Sequence, residues 1–182
     1  MHTRFGAQWA APRPMDNRFN PVELYPRARA WVIREQDGRR GIDVGTWDVL
    51  GGQAKWPMTN VRQLGLPQRR RLAADPGNRC LIPLTEFAEW TPNTHAVGSG
   101  KSIKGEMWFA CTDQPVFAVA GLAQRIGETL CWAMFTCDPN PLVSRSTRRP
   151  WSRSLTRATG TNGCTAVTTR RSHSSGHISS SE

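Results

Sequence analysis

Short alternations of apolar and polar residues, separated by turn-forming residues, dominate the first 143 positions of the chain. Trp31–Arg34 and Ile42–Trp47 are strand candidates, and the charged, glycine-containing segment Gln36–Gly41 between them predicts a turn. These three segments therefore predict a β-hairpin. A helical spacing occurs near the start, where two aromatic residues four positions apart predict a short helix within His2–Ala10.

More strand candidates and one helix follow this hairpin. Pro67–Ala74 is a short helix candidate that carries three consecutive arginines. Thr91–Gly105 is rich in glycine and serine and predicts a loop with weak strand pairing. Pro, Gly, Asn and Asp separate the remaining strand candidates, which are Cys80–Pro83, Met107–Cys111, Val116–Gly121 and Cys131–Thr136. The pattern predicts a mostly antiparallel β protein with a few helices.

The character of the sequence changes after Val143. Positions 144–182 contain ten serines, seven threonines and seven arginines, so these types fill 24 of 39 positions and periodicity disappears. Such a segment cannot bury enough apolar surface to offset the entropy lost on ordering. The chain of 182 residues is long enough for one domain. We expect residues 1–143 to form that domain and residues 144–182 to be a disordered tail.

The chain is strongly basic, with a formal net charge of +10 and a pI near 10.6. Seven arginines and one glutamate in positions 144–182 contribute 7 − 1 = +6 of this charge, which leaves about +4 for the body. A basic balance favours a polyanionic partner such as nucleic acid or an anionic membrane surface. On charge alone, an ordinary solvated surface remains the simpler explanation.

Cysteine usage and hydropathy exclude several classes of protein. The five cysteines form no Cys-x-x-Cys pair and have no histidine at metal-ligand spacing. We therefore expect no metal and no organic cofactor, and a reducing cytoplasm in which the thiols stay free. The chain contains no run of eighteen apolar residues, so we expect no membrane partner.

Three segments in a fixed order carry the most specific signal. They read Thr-Asn-Val-Arg at 59–62, Arg-Cys-Leu-Ile-Pro-Leu-Thr-Glu-Phe-Ala-Glu-Trp at 79–90 and Met-Phe-Thr-Cys-Asp-Pro-Asn-Pro-Leu-Val at 134–143. Together they resemble the SRAP family (SOS response-associated peptidases, or abasic-site processing proteins) over residues 5–143. The resemblance implies an α+β fold with a mostly antiparallel, barrel-like core of twisted sheets. It also implies a cytoplasmic, nucleoid-associated monomer that acts in the SOS response to DNA damage.

In that family an N-terminal cysteine, exposed by removal of the initiator methionine, captures an abasic site in single-stranded DNA as a thiazolidine. An α-amino group with a pKa of about 8 is partly neutral at pH 7, so it can form a Schiff base with the sugar aldehyde. By position, the resemblance makes Glu89 the acid/base carboxylate and Asn60 the residue that orients the sugar or the nucleophile. The residues that would contact DNA are Arg62, Trp47, Trp90 and Thr136.

Four of these residues also fit a purely structural role. A glutamate beside a tryptophan, such as Glu89, suits an ion pair at a strand end. Trp47 and Trp90 suit core anchors, because large aromatic side chains dominate core packing. Thr136 suits an ordinary strand position, because it is β-branched.

Two features of the family are missing from this sequence. Position 2 is His2 instead of cysteine, and the only histidines after the third segment are the distant His173 and His177. We expect Met1 to correspond to an internal methionine of a chain that starts upstream. We also expect a frameshift near Val143, because a shifted reading with permitted codons restores a histidine-containing segment typical of the family. Genomic sequence around both positions tests these expectations.

The sequence is also compatible with three other interpretations. The chain could be a catalytically inactive single-stranded DNA-binding module, or a pseudogene product. It could instead bind nucleic acid through its Ser/Arg-rich tail, in which case truncation at Val143 should abolish binding. A cysteine hydrolase is the third alternative, although no cysteine has a histidine in a recognisable nucleophile context.

Overall fold

The computed structural model describes residues 2–12, 23–97, 100–111, 114–136 and 166–169. Within them, the helices are α1 (His2–Phe5) and α2 (Pro67–Ala74), and a 3-10 turn spans Pro76–Asn78. The strands of this part are β1 (Trp9–Ala10), β2 (Arg29–Gln36), β3 (Arg39–Trp47), β4 (Asn60–Val61), β5 (Arg79–Leu84), β6 (Glu86–Val97), β7 (Lys101–Cys111), β8 (Phe117–Ile126), β9 (Thr129–Phe135) and β10 (Ala166–Thr169). The described chain is therefore mostly β, with few and short helices. The predicted α+β class is supported in its β part and only loosely in its α part.

Five strands close into a barrel. β2 pairs antiparallel with β3 and with β5, and β8 pairs antiparallel with β5 and with β9. A parallel pairing of Trp47 with Trp132 and of Thr46 with Cys131 joins β3 to β9 and completes the circle. Closure gives each of the five strands a partner on both sides. The predicted antiparallel β core is confirmed, and the parallel closure is an additional feature.

The barrel interior is filled by alternate residues of its strands, because successive side chains of a strand point to opposite faces. These interior residues are Ala30, Val32, Cys80, Ile82, Val119, Ala123, Leu130 and Trp132. A second cluster comprises Val49, Val61, Leu122 and Ala133, and Leu72 and Ala73 of α2 pack against it. Gly121 allows the close approach of β8 and β9, because a Cβ there would lie 2.5 Å from the carbonyl oxygen of Ala133.

The N-terminal segment differs from its predicted helix. α1 ends at Phe5, and β1 then runs parallel to β3 with Trp9 opposite Gly41. The Trp9 ring occupies the space that any side chain at position 41 would need. The indole N–H of Trp9 donates to the carbonyl of Arg39, and the Arg34 guanidinium lies 5.7 Å from the ring centroid. These tertiary contacts outweigh the local helical spacing.

The segment predicted as a loop over Thr91–Gly105 instead belongs to a long hairpin. β6 and β7 pair antiparallel along most of their length, with a register shift between Trp90 and Thr94. Cross-strand packing determines strand formation more than intrinsic preference does, so residues of low strand propensity are held in place here. The prediction of a loop was therefore wrong for the paired residues.

The other predicted elements have the following outcomes. The helix at Pro67–Ala74 and the hairpin of β2 and β3 are confirmed. β10 lies within the stretch predicted to be disordered, and its four residues pair antiparallel with Trp108–Cys111 of β7. The predicted domain boundary near residue 143 and the rest of the tail lie outside the described residues.

Candidate nucleic-acid interface

Hydrogen bonds from two separate parts of the chain hold the strand that carries Asn60: the backbone at the end of β9 and the side chain of Trp47. β4 runs parallel to the end of β9, with Asn60 opposite Met134. The carbonyl of Thr59 accepts from the Met134 N–H at 2.9 Å and from the indole N–H of Trp47 at 3.0 Å. The carbonyl of Val61 accepts from the N–H of Thr136 at 3.0 Å. Three predicted site residues, at positions 47, 60 and 136, are thus brought together.

Trp47 holds the site and also packs on the barrel. Its ring is stacked on Trp132, with centroids 5.5 Å apart and an interplanar angle of 8°. Trp132 is buried and donates its indole N–H to the carbonyl of Gly45 at 2.9 Å. Two stacked rings, each with a satisfied N–H, form a rigid support next to Asn60.

The side chains of Asn60 and Arg62 face outward, while Val61 between them is buried. The Asn60 amide nitrogen donates weakly to the Thr59 hydroxyl at 3.3 Å. Its carboxamide oxygen has no hydrogen-bond partner among the described residues. A fixed backbone with an exposed amide can therefore offer both a donor and an acceptor to a ligand.

Glu89 and Trp90 lie on β6, in a second sheet formed by β6, β7 and β10, and point to opposite faces. Trp90 is 57% exposed, whereas Glu89 is half-buried on the same face as Phe87. Phe87 stacks on Phe109 at 5.2 Å and meets Phe117 of β8 edge-on at 6.4 Å. The face of β6 that carries Glu89 is therefore the face that packs towards the barrel.

Burial raises the pKa of Glu89 to about 7. Desolvation disfavours the charged carboxylate, and no hydrogen bond or ion pair to another described residue compensates for it. A carboxyl group with a pKa near neutrality can donate or accept a proton under physiological conditions. This property suits the acid/base role predicted for Glu89.

The two groups of predicted residues are not joined directly. Within the described ranges, no hydrogen bond or ion pair links Glu89 or Trp90 to Asn60. The connection runs through packing, because Phe117 touches Phe87 and packs against the same core cluster as Trp47. The structure thus places Glu89 on one sheet and Asn60 on the other.

Two residues without a role in the sequence analysis are prominent in the structure. Asp48 is the one buried charged residue within the described part of the chain. Trp56 is 75% exposed, and the Lys55 ammonium lies 5.6 Å from its ring centroid. The Gly51-Gly52 pair soon after Asp48 is a turn signal that could have indicated an aspartate bonded to its own loop. No sequence signal indicated that Trp56 is exposed.

The thiols of Cys80 and Cys131 do not resemble activated nucleophiles. Burial raises the pKa of Cys80 to about 12, and burial followed by the charge of Asp48 raises that of Cys131. Thiolate formation near neutral pH is therefore suppressed at both positions. In the part of the chain that is described, no three His, Cys, Asp or Glu side chains are grouped to hold a metal ion. None of the helices described here is long and apolar enough to cross a membrane.

The fold is similar to solved crystal structures of bacterial proteins. A protein from Bordetella bronchiseptica is 22% identical with a TM-score of 0.59, and the match covers 85% of this chain and 76% of that one. A protein from Bacteroides thetaiotaomicron is 21% identical with a TM-score of 0.53, covering 70% and 57% of the two chains. A phage-related protein from Bordetella bronchiseptica is 17% identical with a TM-score of 0.52, covering 72% and 62%.

At these identities the likeness shows the fold alone. The match extends over less than two thirds of the length of two of these proteins. A scan against models of known protein families finds no match, and neither does a comparison with curated protein sequences.

Proposed function

We propose that the chain is an SRAP-type protein that binds single-stranded DNA and recognises abasic sites as part of a DNA-damage response. The observation that carries this proposal is that Trp47 and Thr136 both donate hydrogen bonds to the backbone of residues 59–61, where the Asn60 amide is exposed. The residue types at these positions contribute to the family resemblance. Their meeting in space is what a shared site requires.

Charge and protonation support the same function. Arg62, which is exposed two residues after Asn60, is suited to a phosphate, because guanidinium groups bind phosphate oxygens with several donors. Glu89, with its pKa near 7, is suited to the proton transfers of Schiff-base formation at the sugar aldehyde. Trp90 presents an exposed ring on which a base can stack.

The covalent step needs an N-terminal cysteine, and the sequence has His2 at position 2. Since the Cys80 and Cys131 thiols are buried, neither can replace it. We propose that the adduct forms only on a chain whose first residue is a cysteine, and that recognition of single-stranded DNA does not require that residue.

Binding is tested by fluorescence anisotropy with single-stranded DNA that contains one abasic site, compared with the same sequence as a duplex. We expect tighter binding to the single strand, with log K falling by about 0.7 per log unit of salt for each phosphate contact. Asn60→Ala should weaken binding, whereas Gln8→Ala, an exposed residue of the N-terminal segment, should not. Equal binding of both DNAs, or no effect of Asn60→Ala, would overturn the proposal.

Adduct formation is tested on denaturing gels. A chain that starts at Met1 should release abasic DNA completely, whereas an upstream-extended chain that begins with cysteine should retain it. In that extended chain, Glu89→Gln should slow adduct formation more at pH 6 than at pH 8, because the protonated carboxyl group predominates at the lower pH. An adduct formed by the present sequence would show that another nucleophile acts.

A further inference from the structure

Trp56 is the most exposed large apolar side chain in the described residues. It is 75% exposed, compared with 58% for Tyr25 and 57% for Trp90. It lies in the loop between β3 and β4, four residues before Asn60. Lys55 places its ammonium 5.6 Å from the ring centroid, an arrangement in which the cation is attracted to the π face.

The loop that carries Trp56 is held by a buried carboxylate. Asp48 accepts hydrogen bonds from three backbone N–H groups of the loop, those of Leu50 at 3.2 Å, Gly52 at 3.1 Å and Met58 at 3.0 Å. The carboxylate thus fixes the loop on both sides of Trp56. The exposure of the indole is not a consequence of an unsupported backbone.

An arginine from another segment completes this arrangement. The Arg27 guanidinium donates to the carbonyls of Ala54 at 3.0 Å and Lys55 at 3.1 Å, and its Nε lies 3.5 Å from Oδ2 of Asp48. The Arg27 N–H also donates to the carbonyl of Trp47. These contacts hold the backbone of residues 54 and 55, directly before Trp56.

A single exposed hydrophobic residue is common on protein surfaces and needs no function. Trp56 differs because a loop held by Asp48 and Arg27 presents it beside the Lys55 ammonium. An exposed π face next to a positive charge matches an unpaired nucleobase and its phosphate, whereas an apolar protein partner would bury the Lys55 cation at a cost. Trp56 and Asn60 are four residues apart, and four residues span at most about 14 Å, so the two sites can be only a few nucleotides apart.

We infer that Trp56 and Lys55 form a base-stacking subsite for single-stranded DNA next to the Asn60 site. This inference rests on the proposed function and adds the position of a neighbouring base. The indole stacks on the base, and the Lys55 ammonium pairs with its phosphate. Asp48 and Arg27 act as positioning residues, because they hold the loop and do not touch DNA.

The test measures the affinity of the full chain for an oligothymidylate of about a dozen nucleotides. Trp56→Ala should weaken binding by roughly 5- to 150-fold, the range for loss of one base–aromatic stack, and Trp56→Phe should restore most of the affinity. Ile103→Ala, at an apolar position 45% exposed on β7, is the matched control and should leave affinity unchanged. Lys55→Ala should reduce the salt dependence, whereas Lys104→Ala should not.

A second probe separates stacking from charge. A sugar–phosphate oligomer without bases offers the same phosphates but no π face. Wild type and Trp56→Ala should bind this probe equally, while Lys55→Ala should bind it more weakly. Because Trp56 is exposed, the urea midpoint of Trp56→Ala should match that of wild type.

The outcomes separate this inference from the proposed function. If wild type binds oligothymidylate and Trp56→Ala binds equally well, the subsite is wrong while the proposed function stands. If Trp56→Ala weakens binding and Asn60→Ala does not, the subsite stands and the site at Asn60 is wrong. A wild type that does not bind overturns both. A dimer that Trp56→Ala dissociates without changing DNA affinity would assign the surface to a second copy of the chain.

Discussion

Replacing Glu89 with glutamine should change how the stability of the protein depends on pH. The pKa of this carboxyl group is about 7 in the folded protein and 4.5 in its ordinary state, and burial is the cause. The folded state therefore holds the proton more tightly than the unfolded chain does. It follows that the free energy of unfolding falls as pH rises from about 4.5 to about 7, and is constant for this group above that window.

The magnitude follows from the size of the shift. A difference of about 2.5 pH units, at 1.36 kcal/mol per unit, sets an upper limit of about 3.4 kcal/mol. Glu89 is only half-buried, so solvent screening reduces this to about 1–2 kcal/mol. Glutamine has nearly the same shape and no charge, and the variant should lose this part of the pH dependence.

The assay is urea unfolding of wild type and Glu89→Gln at pH 5 and pH 8. We expect the stability of the variant relative to wild type to rise by about 1–2 kcal/mol between these pH values. Glu128→Gln, at an exposed position in the turn between β8 and β9, controls for the loss of one surface carboxylate. An equal pH dependence in wild type and Glu89→Gln would refute the reasoning that burial keeps this group protonated.

Three further substitutions test the packing that supports the site. Asp48→Ala should lower the free energy of unfolding by about 3–5 kcal/mol in urea, because three backbone N–H groups and a cation lose their partner; a loss below about 1 kcal/mol would contradict this. Gly121→Ala should cost about 1–3 kcal/mol, because the new Cβ would lie 2.5 Å from a backbone carbonyl, whereas Gly65→Ala, where the Cβ meets open space, should be nearly neutral. Trp47→Phe removes the hydrogen bond to the Thr59 carbonyl and should cost about 1 kcal/mol. Its effect on DNA affinity should be non-additive with that of Asn60→Ala in a double-mutant cycle, and additive losses would show that Trp47 does not act through Asn60.

The barrel gives a physical reason why distant sequence segments form one site. β3 ends at Trp47 and β9 ends at Phe135, and their parallel pairing brings these two ends to the same side of the sheet. β4 pairs parallel with the end of β9, which places Asn60 opposite Met134. Trp47 ends β3, Thr136 directly follows β9, and Asn60 begins β4, so all three lie at strand termini, where a side chain can leave the packed sheet and reach a ligand.

Local patterns were sufficient for elements whose stability is decided by neighbours in sequence. The hairpin of β2 and β3 follows from two alternating runs and a turn containing Gly38, and α2 follows from Pro67 at its start and a helical composition. The sequence motifs around Asn60 and Glu89 also identified residues that the fold places at exposed or half-buried positions. The hairpin and the helix depend on short-range backbone preference, and the motifs depend on residue type.

Tertiary structure decided the features that depend on distant contacts. Trp9 pairs in a strand because Gly41 leaves space for its ring, and the arms of β6 and β7 form because each supplies the other's hydrogen bonds. The raised pKa of Glu89 depends on burial by the neighbouring sheet. The loop that carries the exposed Trp56 is held by hydrogen bonds to the Asp48 carboxylate. Sequence alone determined the alternating strands, the short helix and the residue types of the site. Barrel closure determined which of these residues meet and how far each is removed from water, because burial and electrostatics arise between segments that are remote along the chain.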